Sequence, residues 1–155
     1  MKITAWRIFK KKYRGSAFSG EGARRFGGRW NSKGVAVIYT SETVSLAVLE
    51  ILVHLETTRL LDAYLLSSVT FDGSLVKAVP VAKLPGNWRK EPAPITLQAI
   101  GDNWVANATS AILRVPSVIV PTESNYLLNP THANFRSCVW RKPQPFKLDP
   151  RLVRW

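Results

Sequence analysis

Residues 35–56 read VAVIYTSETVSLAVLEILVHLE, and this run decides the fold class. Its first part, 35–40 (VAVIYT), is a β-branched apolar stretch of strand length. Ser41 or Thr40 is placed to N-cap a helix, with Glu42 in its first turn. Val44, Ala47, Val48, Ile51, Leu52 and Leu55 then recur at helical spacing, which predicts a helix with one core-facing stripe. A strand therefore runs directly into an amphipathic helix.

Working outward, residues 2–9 (KITAWRIF) predict a first strand. Residues 15–34 hold six of the nine glycines and predict a long shaped loop. On the other side, 63–71 reads as a strand and 80–94 as irregular, proline-rich chain. Helix is expected over 95–108, broken at Gly101 with Asp102 capping a restart. Short strands are expected at 110–114 and 117–121, on either side of Pro116, and a last pair at 135–140 and 145–148. Strands dominate without a regular βαβ alternation, so the expectation is one α+β domain over 1–155, with a mixed, mainly antiparallel β core and flanking helices.

The chain has 155 residues and an apolar fraction of 46%, enough for a core without disulfides or metal staples. No stretch approaches the length of a membrane span, and residues 1–15 hold no apolar signal region, so a cytoplasmic protein is expected. The lone Cys138 excludes an internal disulfide and reads as a small buried hydrophobe. The formal net charge of +12 calls for a polyanionic partner: nucleic acid, a phosphorylated small molecule or an acidic protein. The basic residues gather at Lys10–Arg14, at Arg24, Arg25 and Arg29, and from Arg136 to Arg154.

Glu50 is the most informative residue. It sits inside the apolar helix with Leu46, Ala47 and Val53 at its flank. Two environments are open to it: the helix margin, paired with His54 and reaching water, or a cleft, where a desolvated carboxylate is usually functional. Arg29 follows two glycines in GGRWN, and an arginine fork suits a phosphate. With Arg24 and Arg25 it makes a candidate pyrophosphate cradle, although neither a Walker A nor a GxGxxG pattern is present. Arg7 is a charge within an apolar strand and needs a partner or a cleft. Tyr39, at a strand end, is placed either to stack on a ring or to pack as an ordinary aromatic. Two histidines and one cysteine offer no metal-ligand spacing, and no GxSxG elbow is present.

The run SGEGARRFGGRWNSKGVAVIYTSETVSLAVLEILVHLE resembles the first half of RES domains. VPSVIVPTESNYLLNPTHANF resembles their second signature, and KLDPRL their close. The resemblance extends from Arg7 to Leu152. By motif it makes Arg29 the family arginine and Glu50 the family glutamate, with Ser117 chosen as the serine and Ser124 its competitor. It also puts Arg7, Tyr39 and Asn125 at substrate-binding positions. It implies a fold similar to ADP-ribosyltransferases and diphtheria-type toxins, and a toxin that cleaves the nicotinamide–ribose bond of NAD⁺ by hydrolysis or phosphorolysis. NAD⁺ would be substrate rather than cofactor, inorganic phosphate a candidate acceptor, and no metal or membrane is implied. The implied partner is an Xre-type antitoxin in a hetero-oligomer, through which alone nucleic acid would be met.

Three rivals stand beside this. One is ADP-ribose transfer to a protein. Another is a basic nucleic-acid-binding module, suggested by the charge and the six tryptophans, although no RRM, KH or helix-turn-helix signature supports it. The third is an inactive scaffold for an acidic partner.

Overall fold

The computed structural model describes residues 1–55 and 63–153. Glu56 of the opening run and Arg154 of the terminal basic cluster lie outside them. The elements are β1 (Lys2–Lys10), α1 (Glu21–Phe26), β2 (Ile38–Ser41), α2 (Val44–Leu52), β3 (Tyr64–Asp72), β4 (Val76–Ala78), α3 (Ile95–Ala106), β5 (Ile112–Pro116), β6 (Ser124–Leu128), β7 (Val139–Trp140) and β8 (Gln144–Phe146). The strands form one mixed sheet in the order β4-β5-β6-β2-β1-β3-β7, with β8 also on β3. Every pairing is antiparallel except β4 with β5. The fold is α+β, as the dominance of strands without a regular βαβ alternation predicted.

Both faces of this sheet are covered. Ile112 and Leu128 face one core with Ala5, Ile38, Val69 and Phe71, while Leu113, Val115 and Leu127 face a second core with Trp30, Trp88, Leu97 and Trp104. The period-2 alternation of β5 and β6 divides these residues between the two cores. The stripe read on α2 is real: Ala47, Val48, Ile51 and Leu55 pack with Ile8, Tyr64 and Leu148 over β1 and β3.

Four local expectations are corrected. The N-cap of α2 is Thr43, whose hydroxyl accepts from the Leu46 amide; Thr40 and Ser41 are β2 residues, and Thr40 Oγ1 donates to the Tyr126 carbonyl. The glycine-rich stretch contains α1, bracketed by Gly20 (φ 77°) and Gly27 (φ 72°), so two glycines start and stop a helix there. α3 runs unbroken through Gly101, and Asp102 caps nothing: its carboxylate instead accepts from the amide and hydroxyl of Ser32. The apolar run 117–121 is a turn, and the missed strand is β6. Ser117 Oγ accepts from the Ile119 and Val120 amides, which bends the chain before Ser117 N donates to the Glu123 carbonyl and closes the hairpin.

Candidate active site

β1 and β3 share nine registered pairs, but β1 and β2 share the one register Trp6↔Ser41. The sheet therefore parts between β1 and β2. A parted strand leaves backbone groups without ladder partners, and Arg7 supplies one: its Nη1 donates to the Tyr39 carbonyl at 2.8 Å. A cavity of about 140 Å³ opens at this parting, walled by Trp6, Arg7, Tyr39, Ser41, Glu50 and Asn125. It holds one flat ring or one sugar rather than a whole dinucleotide, since sites for drug-sized ligands run from roughly 300 Å³ upward.

α2 lays its apolar stripe on β1 and thereby turns Glu50 into this cavity. The carboxylate does not pair with His54, which is exposed. Asn125 Nδ2 donates to Glu50 Oε1 at 2.8 Å, and Ser117 Oγ donates to the same oxygen at 3.2 Å. Both bonds land on Oε1, and among the described residues no hydrogen bond is made to Oε2. A carboxylate accepts only, so the Asn125 amide must present its nitrogen here; its Oδ1 is then buried without a partner. Arg7 Nε is likewise buried and unpartnered. Such orphan groups are costly in a protein interior, and both belong to residues of the cavity wall. Burial also lowers the Arg7 pKa to about 10, so it stays cationic at neutral pH.

Tyr39 lines the cavity, packs against the second core and anchors the neighbouring loop with its hydroxyl. The hydroxyl donates to Asn31 Oδ1 at 2.6 Å and accepts from the Trp30 amide at 3.1 Å. Burial raises its pKa. Asn31, not singled out in the sequence, is the hub of the glycine-rich loop: fully buried, its Nδ2 serves the carbonyls of Ala23, Ser32 and Val35. The tight approach at Gly28 depends on the missing side chain, because a Cβ there would sit 2.7 Å from the Tyr39 hydroxyl oxygen.

The expected three-arginine cradle is not assembled. Arg24 is held by Glu21 within α1, and the Arg25 guanidinium sits 6.0 Å from the Phe26 ring centroid. Arg29 does not line the cavity. Its Nη1 donates to the carbonyls of Trp88 (3.1 Å) and Lys90 (2.9 Å), and its Nη2 meets Glu91 at 2.6 Å. It thus lies outside the cavity lining, held by the segment 88–91.

Of the two candidate serines, Ser117 reaches Glu50, whereas Ser124 Oγ accepts from Arg114 Nε. Ser117→Ala is expected to cost about 1–2 kcal/mol of stability, because two turn amides lose their acceptor. It should also loosen Glu50, which loses one of its two donors. Ser124→Ala should cost far less stability, and paired urea melts on the two variants check this.

Residues 4–149 match the RES domain family. This chain belongs to the RES domain family. The RES domain is 43% identical over 148 residues to Toxin Res of Yersinia enterocolitica, covering 95% of this chain and 97% of that one. It is 38% identical to the Prs ADP-ribosylating toxin of Sphingobium sp., covering 99% of each. In three dimensions it is similar to a chain of the crystal structure of the M. tuberculosis MbcT–MbcA toxin–antitoxin complex. The TM-score is 0.76 at 20% identity, over 95% of this chain and 85% of that one. That likeness establishes the fold class seen here.

Cys138 is buried and free, and burial raises its thiol pKa. Among the described residues no group of three or more His, Cys, Asp or Glu comes together, and no helix is long and apolar enough to cross a membrane.

Proposed function

We propose that this RES domain is the toxin of a toxin–antitoxin pair and that it cleaves the bond between nicotinamide and ribose in NAD⁺. The observation that carries the reading is the Glu50 carboxylate. It projects from an apolar helix into a cavity at a parted sheet, one oxygen fixed by Asn125 and Ser117 and the other without a hydrogen bond among the described residues. Breaking the C1′–N bond sends its electron pair to the nicotinamide and leaves positive charge on the ribose. A pre-aligned carboxylate stabilises that charge without reorganising. Tyr39 and Trp6 offer the walls for nicotinamide, Arg7 supplies a cation and an unpaired N–H, and Arg29, outside the cavity lining, meets the pyrophosphate. Asn125 Oδ1 and Arg7 Nε are an acceptor and a donor awaiting a polar ligand group. The acceptor of the ribose is water or inorganic phosphate, each giving up a proton as the new C1′–O bond forms.

Toxin status is supported by relatives named Toxin Res and by the toxin–antitoxin complex that holds the similar fold. An antitoxin with acidic groups suits the net charge of +12. A second reading, transfer of ADP-ribose to a protein side chain, draws on the name of the Sphingobium relative. The tryptophans lend the nucleic-acid reading little support among the described residues: Trp30, Trp88 and Trp104 are buried in the core and Trp140 stacks on Phe18.

Incubating the purified chain with adenylate-labelled NAD⁺ and cell extract separates these outcomes. Free ADP-ribose, or its phosphate ester, supports the first reading. Label retained on protein supports the second, and undiminished NAD⁺ refutes both.

A further inference from the structure

The guanidinium of Arg29 is held by backbone on one side and by a single side chain on the other. Its Nη1 is held by two backbone carbonyls, those of Trp88 and Lys90. The segment that supplies them is itself anchored: the Trp88 ring is buried against the Trp30 and Trp104 core, and Arg89 Nε donates to the Val118 carbonyl at 3.2 Å. That fixed strap joins the glycine-rich loop to the Ser117 turn, and it aims the Nη2 edge of Arg29. On this edge sits the carboxylate of Glu91 at 2.6 Å. The two partners differ sharply in exposure: the Arg29 side chain is 14% exposed and that of Glu91 is 78% exposed.

We infer that the Nη2 edge of Arg29 is an anion-binding site for a phosphate group, and that Glu91 is an internal anion which the phosphate displaces. The inference deepens the NAD⁺ reading by naming the residue that competes with the substrate's pyrophosphate. Three physical points carry it. A carboxylate on an exposed, flexible side chain leaves without disturbing backbone, whereas the two carbonyls cannot leave without moving a buried tryptophan. The Glu91 side chain is mostly in water already and regains its hydration on leaving, so a more highly charged phosphate outcompetes it. A planar fork held by backbone is also pre-organised for an oxyanion, and loses little freedom on binding one. Glu91 would therefore hold Arg29 neutralised and correctly oriented, with a modest loss of ligand affinity.

The test titrates inorganic pyrophosphate into the full chain by calorimetry, at low and then physiological salt. Glu91→Gln is expected to tighten binding about fivefold, the upper end for removing one exposed competitor. Arg29→Ala in the Glu91→Gln background should abolish the gain. Asp149→Asn makes the same unit charge change at a carboxylate engaged by Arg151, and should leave affinity unchanged. Unaltered affinity in Glu91→Gln would overturn the inference. An equal gain in Asp149→Asn would also overturn it, by reducing the effect to net charge. Absence of pyrophosphate binding in both wild type and Glu91→Gln refutes the site as well. The NAD⁺ turnover assay reads the proposed activity separately, so a chain that cleaves NAD⁺ yet fails this titration loses the Glu91 site alone.

Discussion

Glu50→Gln is expected to lower the proposed NAD⁺ cleavage by at least about 1,000-fold, a loss of about 4 kcal/mol of transition-state stabilisation. The substitution keeps the shape of the side chain. Its Oε1 still accepts from Asn125 Nδ2 and Ser117 Oγ, so the wall of the cavity stays as it is. The change removes the negative charge opposite the developing cation on ribose. Because Glu50 is only partly buried, folding stability should stay within about 1 kcal/mol of wild type. The check is initial-rate kinetics and a urea melt on the same preparation. A fall in kcat with KM little changed marks an interaction made in the transition state. Loss of folding would instead make Glu50 a structural residue.

Gly101→Ala is expected to be the most destabilising single methyl in the chain, at about 3–4 kcal/mol. A Cβ built at Gly101 would lie 1.6 Å from the Trp30 carbonyl oxygen, a backbone atom that cannot swing aside. Either α3 or the glycine-rich loop has to move. That movement breaks the bonds from Gln98 Nε2 to the Gly28 and Asn31 carbonyls and from Ser32 to Asp102. Alanine is the better helix former by about 1 kcal/mol, which offsets only part of the cost. In a domain of this size each kcal/mol lowers Tm by roughly 2–4 °C, so a fall of about 6–15 °C is expected in a thermal melt. The displaced loop carries Arg29 and the Tyr39 anchor, so activity should fall further than stability alone explains. A variant with unchanged Tm would mean that the helix and loop are not locked together at this point.

The sequence reveals a site most readily where one element carries the signal. The α2 stripe is visible as a period and is found as read, and Glu50 stands out because it interrupts that period. Ser117 and Asn125 come to Glu50 from a turn and a strand more than sixty residues away. No local spacing announces such a meeting; here the resemblance to RES domains named residues that periodicity could not. The errors share a physical cause. VIV at 118–120 reads as strand because its apolar run outweighs Ser117, yet that hydroxyl offers the backbone a closer partner than a ladder does. Gly101 reads as a helix breaker because propensity is local, whereas its use is tertiary: it admits a carbonyl from another segment. Arg29 reads as a free phosphate fork because nothing near it in sequence shows that the segment from Trp88 to Glu91 returns to hold it. Asn31 passes unnoticed for the same reason, since its partners are loop carbonyls fixed only once the chain has closed around it.

The most direct test is a crystal structure of the Glu50→Gln chain with NAD⁺. The expected result has the nicotinamide ring between Trp6 and Tyr39, ribose C1′ facing the residue-50 side chain in van der Waals contact, and the pyrophosphate toward Arg29. A dinucleotide bound elsewhere, or bound here with C1′ turned away from residue 50, would contradict the role assigned to Glu50.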